Sequence, residues 1–219
     1  IRDLVRSRGL GDVYKRQVRW RLEDDGADLP VVVVAGAPRS GTTWAAEVLA
    51  RATRSRLLFE PLAPAAPGTA GLQVFPYLEA DDAAPEIGLH LERAFGGRLG
   101  GDWIDVRPVS ARPRGRVVKL VRACLMLDWI AERFPSVPIV YVTRDPWSVV
   151  RSRIRMGWDP LPDCEALLRQ PALLRRLGGH GDRVRAAVAD LEEPVRASGA
   201  GGTSGAVVEA NALLWAVHN

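Results

Sequence analysis

The chain has 219 residues, a formal net charge of +4 and 47% hydrophobic residues. This length is typical of one domain with a substantial core, and no stretch approaches the ~18 consecutive apolar residues of a membrane span. The two cysteines, Cys124 and Cys164, are too few and too far apart for a disulfide framework or a zinc site, so we expect free thiols.

Residues 1–17 are unlike the rest of the chain. Residues 7–17, SRGLGDVYKRQ, back-translate without a gap into DNA that resembles a short-read sequencing adapter. We therefore expect residues 1–17 to be an adapter-derived artefact, with a basic N-terminal arm as the alternative, and residues 18–219 to form a single domain. Removing the five basic and two acidic residues of this segment leaves 25 basic and 24 acidic residues, a net charge of +1. This balance does not indicate a nucleic-acid partner.

The composition also bears on the source of the chain. Arginine outnumbers lysine 28 to 2 and alanine, glycine and proline are frequent, which is typical of a GC-rich, bacterial coding sequence. We expect a cytoplasmic protein whose native N-terminus is missing. A predicted helix is still open at Asn219, so we expect truncation at the C-terminus as well.

The first predicted element is a strand at residues 31–34, where four consecutive valines favour burial on both faces of a parallel sheet. A turn framed by Gly36 and Gly41 follows, and a helix is predicted to begin near Thr42. A strand, a tight turn and a helix N-terminus together form an anion site, because backbone N–H groups at residues 40–43 and the helix dipole favour negative charge. We expect the anion to be a phosphate.

Further strands and helices alternate along the chain, which predicts an α/β fold with a parallel sheet flanked by helices and ligands at the carboxyl ends of the strands. The predicted strands are 57–59, 116–120 and 138–142, and the predicted helices are 42–51, 86–95 and 124–134.

The segments between and after these elements are less regular. Residues 62–85 are rich in alanine, proline and glycine and predict a long surface loop, and residues 102–106 predict an extended piece. Residues 163–198 are predicted to be helical and charged, with His180 in a loop. Residues 199–205 predict a hinge, and a last helix is predicted from Val207.

The glycine frame has the spacing of a nucleotide-hydrolysing P-loop, but Thr42 stands where that loop has its lysine, and the only cation is Arg39. Residues 38–44, PRSGTTW, resemble the 5′-phosphosulfate loop of the sulfotransferases that use PAPS, 3′-phosphoadenosine 5′-phosphosulfate. On this loop alone a kinase-like or other nucleotide-binding site stays open.

A second motif, TRDPWSVVRSR, follows the strand predicted at 138–142. Asp145 can cap a helix that begins at Pro146, which places Arg144 at the end of the strand and Ser152 about two turns into the helix. An arginine fork and a hydroxyl on adjacent elements can hold a phosphate; the alternatives are a surface ion pair and a solvent-facing serine. The motif matches the 3′-phosphate motif of the same sulfotransferases.

The resemblance covers residues 31–155 and implies a three-layer fold related to P-loop NTPases, PAPS as sulfuryl donor and no metal. FEPL at 59–62 and KLVR at 119–122 look most like carbohydrate sulfotransferases, so the acceptor implied is a carbohydrate or other small molecule. A P-loop kinase and a non-catalytic nucleotide-binding relative are the alternative functions. The implied cofactor-binding residues are Pro38, Arg39, Ser40, Gly41, Thr42, Thr43, Trp44, Arg144 and Ser152.

Two residues are predicted to be catalytic. Arg39 would stabilise charge on the leaving phosphate, and Glu60, which ends the second strand, is the predicted general base, as the matching glutamate is in related sugar enzymes. The alternatives are an ion pair between Glu60 and an arginine (Arg39, Arg54 or Arg56), and His90 as the base. For Lys119 we expect a structural role in preference to a role in the site. Trp103 and Trp158 are candidates for stacking on a sugar or on adenine.

Overall fold

The computed structural model describes residues 24, 28–107, 109–110, 112–198 and 204–219. The predicted artefact at residues 1–17 and most of the predicted hinge at 199–205 lie outside this part of the chain.

A parallel sheet of four strands forms the centre of the domain, in the order β2-β3-β1-β4. The central strand β1 pairs with β3 from Val31 opposite Arg116 to Ala35 opposite Leu120. It pairs with β4 from Val33 opposite Ile139 onward. The strands are β1 (Val31–Ala35), β2 (Arg56–Phe59), β3 (Arg116–Leu120) and β4 (Ile139–Tyr141).

Eight helices are found among the described residues, and together with the sheet they confirm the predicted α/β class. They are α1 (Thr42–Thr53), α2 (Pro85–Phe95), α3 (Leu127–Arg133), α4 (Pro146–Arg155), α5 (Leu161–Leu168), α6 (Pro171–Leu177), α7 (Gly179–Ser198) and α8 (Gly205–His218).

The sheet lies between two helical layers because alternate strand residues point to opposite faces. Val34 packs with Ala46 and Ala50 of α1 on one face. Val33 and Ala35 pack on the other face with α2 and α3. The valine run of β1 is therefore buried from both sides, as its composition predicts.

Three local predictions differ from the structure. Residues 102–106 form turns and are not extended, and Phe59 donates its N–H to the carbonyl of Ile104 in this segment. The helix predicted from Cys124 begins at Leu127, since residues 123–126 form a turn closed by a bond from the Met126 N–H to the Ala123 carbonyl. His180, predicted in a loop, lies in α7.

The loop predicted at residues 62–85 is irregular but is not confined to the surface. Phe75 is buried against Leu167 of α5 and Leu214 of α8. Gln170 fixes this part of the loop, because its side chain accepts from the Tyr77 N–H and donates to the Phe75 carbonyl. The loop thus connects the sheet to the C-terminal helices.

A buried ion network holds the start of β2 and β3. The Asp24 carboxylate accepts from Arg56 at 2.9 Å and from Arg116 at 2.5 Å. Burial alone would raise the pKa of Asp24, but the hydrogen bonds from Arg116 and Arg56 outweigh burial and hold it below 3.8. Such a network costs desolvation free energy, which its multiple hydrogen bonds offset.

In the part of the chain that the structure describes, no helix combines the length and apolarity needed to cross a membrane.

The end of α8 gives the fold a dependence on pH. Burial lowers the pKa of His218 from 6.5 to about 4, although its Nδ1–H donates to the Leu214 carbonyl. The His218 imidazole takes up a proton near pH 6.5 in the unfolded chain and only near pH 4 in the folded chain. The contribution of neutral His218 to the free energy of unfolding is therefore complete above pH 6.5 and is lost as the pH falls towards 4. The full loss is about 3 kcal/mol.

We expect His218→Phe to flatten the dependence of unfolding free energy on pH between 6.5 and 4, measured by urea denaturation. The control is His180→Phe, since His180 is exposed and its replacement should leave the dependence unchanged. Equal pH dependence in His218→Phe and the parent chain would contradict this assignment.

Candidate functional site

The loop between β1 and α1 begins at a close approach of two strand ends. Gly36 has a φ of 153°, and a Cβ at this position would lie 2.2 Å from the Val142 carbonyl oxygen. Only glycine fits here, because the Val142 N–H also donates to the Ala35 carbonyl and fixes the end of β4 against β1. The two phosphate motifs predicted from the sequence therefore start side by side.

Helix α1 begins after Gly41, whose φ of 97° lies in the left-handed region. The first turn of a helix has N–H groups without partners inside the helix, and α1 has no side chain capping them. One of the backbone donors predicted at residues 40–43 is already used, because the Ser40 N–H donates to the Ala37 carbonyl. The hydroxyl of Ser40 is buried and has no hydrogen-bond partner in the described structure.

Arg39 joins the two motifs. Its Nε–H donates to Ser152 Oγ over 2.9 Å, although 113 positions separate the two residues. Arg39 has a φ of 75°, a left-handed conformation that a non-glycine residue adopts at a cost in conformational energy. The loop therefore holds a strained backbone at the residue whose side chain reaches the second motif.

The second motif has the helix cap that the sequence predicts. Asp145 accepts from the Ser148 N–H at 2.9 Å, and Pro146 is the first residue of α4. Arg144 is exposed, with its carbonyl accepting from Trp215 Nε1 of α8 at 3.1 Å. Arg144 lines the same cavity as Ser152, and the side chain that bonds Ser152 Oγ in the structure is that of Arg39.

Two guanidinium groups flank the indole of Trp158, just after α4. Arg39 lies 5.6 Å and Arg153 lies 5.4 Å from the indole centroid. Arg153 is buried and donates to Asn211 Oδ1 at 2.6 Å and to Asp163 at 2.7 Å. The Asn211 amide is itself oriented, because its Nδ2 donates to the Val207 carbonyl.

Glu60 lies just beyond β2 and is paired with two cations. Its carboxylate accepts from Lys119 Nζ and, at 2.6 Å, from Arg122. The prediction that Glu60 pairs with Arg39, Arg54 or Arg56 is wrong. Its partners are Lys119 of β3 and Arg122 in the turn after β3. Glu60 also has a left-handed φ of 44°.

Lys119 is enclosed by this arrangement. Burial lowers its pKa below 10.5, against the opposing effect of the Glu60 carboxylate. Its ammonium lies 4.4 Å from the ring centroid of Phe59, which packs edge-on against Trp103. The Trp103 indole donates to the Glu60 carbonyl at 3.2 Å. Phe59 thus lies beside the ammonium that pairs with Glu60, and Trp103 contacts the backbone of Glu60.

Residues of the two motifs, together with Glu60 and its partners, line one cavity of about 800 Å³ at the carboxyl ends of the strands. Its charged lining has six cations and three carboxylates, which suits a ligand with several negative charges. The cations are Arg39, Arg107, Lys119, Arg122, Arg144 and Arg153, and the carboxylates are Glu60, Asp159 and Asp163. Of the predicted cofactor-binding residues, Pro38, Arg39, Gly41, Thr42, Thr43, Trp44, Arg144 and Ser152 line it.

Two predicted candidates lie elsewhere. His90 is buried in α2, where its Nε2 bonds the Pro61 carbonyl at 2.8 Å, and it is not among the residues that line the cavity. The Ser40 side chain is also absent from the lining.

Sequence reasoning missed three residues that support the site, Arg122, Arg153 and Asn211. Arg122 stands in the KLVR stretch and Arg153 is the last residue of the second motif, so both belong to segments that the sequence analysis singled out. Asn211 carried none, because only the packing of α8 against α4 brings it to Arg153.

A family model described as "Sulfotransferase family" matches residues 30–162, which is more than half of the chain. Neither the curated proteins nor the solved structures give a match.

The Asn211–Arg153 contact should stabilise the fold. We expect Asn211→Leu to lower the unfolding free energy by about 1–3 kcal/mol, because it leaves a buried guanidinium N–H without an acceptor. Glu209→Leu is the control, since it places the same side chain at a less buried position of α8. Equal denaturation midpoints for the two variants would show that the contact contributes nothing.

Proposed function

The chain belongs to the sulfotransferase family, and from this membership we propose that it transfers the sulfuryl group of PAPS to a hydroxyl of a carbohydrate acceptor. The observation that carries the proposal is the convergence of Arg39, Ser152, Arg144 and Glu60 on one cavity. A nucleotide with phosphates at both its 5′ and 3′ ends needs two anion sites separated by the length of the nucleoside. We assign one of these sites to each of the two motifs.

The 5′-phosphosulfate would lie on the loop before α1. The unpartnered N–H groups of the first turn of α1 and the positive end of its dipole favour an anion here. Arg39 adds a full positive charge beside the loop. The residues present therefore suit this group.

The 3′-phosphate would lie between Arg144 and Ser152. Ser152 Oγ accepts from Arg39, which leaves its own O–H free to donate to a phosphate oxygen. Arg144 is exposed and lines the same cavity, and a guanidinium can make a bidentate contact with a phosphate. One serine would thus connect the arginine of the first anion site to the ligand of the second.

Transfer itself needs little covalent work by the protein. The acceptor oxygen attacks sulfur, the bond from sulfur to the bridging phosphate oxygen breaks, and the acceptor proton goes to a base. We assign this base to Glu60, whose side chain lies in the cavity lining beside Lys119 and Arg122. Arg39 and the loop N–H groups stabilise the charge that grows on the departing phosphate.

The acceptor end of the cavity is bordered by Phe59 and Trp103. Aromatic faces of this kind suit the apolar face of a sugar ring, which supports a carbohydrate acceptor. A cytoplasmic location stays a prediction, as does the single domain at 18–219.

The proposed cofactor predicts that the chain binds 3′,5′-bisphosphoadenosine, the product nucleotide, more tightly than Mg-ATP in isothermal titration calorimetry. Arg144→Ala should weaken bisphosphate binding about 10- to 100-fold, the loss expected for a charged hydrogen-bonded contact. Arg155→Ala is the matched control, because Arg155 is exposed on the next helix and lies outside the cavity lining. Preference for Mg-ATP would favour a kinase instead.

The proposed base predicts an effect of substituting Glu60. Glu60→Gln keeps the size of the side chain but removes the proton acceptor, so turnover from PAPS should fall about 10²- to 10⁴-fold. Bisphosphate affinity should stay within about threefold of the parent value, since the substituted side chain would not lie at either phosphate site. Glu92→Gln on the surface of α2 is the control. Unchanged turnover in Glu60→Gln would remove Glu60 from the mechanism.

A further inference from the structure

Trp158 occupies an unusual place in the cavity wall. Only 38% of its surface is exposed, and two cations lie near its indole ring, one of them exposed and the other buried. The exposed one is Arg39, and the buried one is Arg153, which is 3% exposed. We propose that Trp158 is a positioning residue that holds the Arg39 guanidinium in place for the donor; this inference rests on the proposed function.

The backbone of Trp158 is anchored from α4. Its N–H donates to the Arg153 carbonyl at 3.3 Å, and Gly157 before it has a φ of 66° that turns the chain back over the last turn of the helix. The next residue is tied too, because the Asp159 carboxylate accepts from the Leu161 N–H at 3.0 Å. The backbone that carries the indole is therefore fixed, and the direction of the ring is set by its side-chain torsions and by its contacts with Arg39 and Arg153.

The Arg153 guanidinium gives the indole a rigid base. Asn211, which has no exposed surface, accepts from its Nε, and Asp163 accepts from its NH2 group. Asp163 also offsets its charge, so the positive charge of Arg153 repels that of Arg39 less. A planar cation that is fixed at two points packs against one indole and fixes its tilt.

Arg39 gains the most from this arrangement. A long arginine side chain in a solvent-facing loop loses conformational entropy when it is held in one rotamer. Its hydrogen bond to Ser152 fixes one edge of the guanidinium, and the indole at 5.6 Å fixes its plane. With both contacts made before the donor arrives, less entropy is lost on binding.

A double-mutant cycle tests the inference by calorimetric binding of 3′,5′-bisphosphoadenosine. Trp158→Ala should weaken binding about fivefold, the range of a cation–π contact. In an Arg39→Ala background the same substitution should change affinity by less than about twofold, because its effect passes through Arg39. Trp158→Phe should restore most of the affinity, and Trp147→Ala, at a 64% exposed indole, should have no effect.

An equal loss from Trp158→Ala in both backgrounds would mean that the indole contacts the nucleotide directly, and the positioning role would be overturned. No loss in either background would overturn it as well. Thermal denaturation of each variant separates these results from misfolding, and Trp158→Phe supplies the test if the alanine variant does not fold.

A ligand-free measurement separates this inference from the proposed function. Hydrogen exchange of the Arg39 Nε–H, followed by NMR, should be faster in Trp158→Ala than in the parent chain. If the parent chain binds no bisphosphate, the proposed function fails, while faster exchange would still support the contact with Trp158. Unchanged exchange would overturn the positioning role whether or not the nucleotide binds.

Discussion

The site depends on the close approach of β1 and β4 where the two strands end. The Val142 carbonyl lies where a Cβ of residue 36 would stand, so the first loop and the second motif leave the sheet in contact with one another. This packing brings Arg39 within hydrogen-bond distance of Ser152. Two motifs that are far apart in the sequence therefore line one cavity.

Residues beyond the family match at 30–162 complete this geometry. Helix α8 contacts the second motif twice, through Trp215 at the carbonyl of Arg144 and through Asn211 at the guanidinium of Arg153. Tyr141 of β4 also donates to the His218 carbonyl at 2.7 Å. The C-terminal helices are therefore part of the support of the cavity and not an appendage to it.

The fold and the motifs could be predicted because they depend on local patterns. The valine run of β1, the glycine frame around Arg39 and the Asp145–Pro146 cap each specify a local conformation. The partners of Glu60 could not be predicted, since Lys119 and Arg122 reach it through the pairing of β2 with β3. The extended conformation predicted for residues 102–106 is wrong, because tertiary contacts such as that of Ile104 with Phe59 outweigh the conformational preference of a short segment.

The most direct test of the account is a crystal structure of the chain with 3′,5′-bisphosphoadenosine. The account predicts the 5′-phosphate on the first turn of α1 beside Arg39, and the 3′-phosphate within about 3 Å of Ser152 Oγ and the Arg144 guanidinium. A nucleotide whose 3′-phosphate faces solvent, with Arg144 and Ser152 making no contact to it, would contradict the two-site cavity.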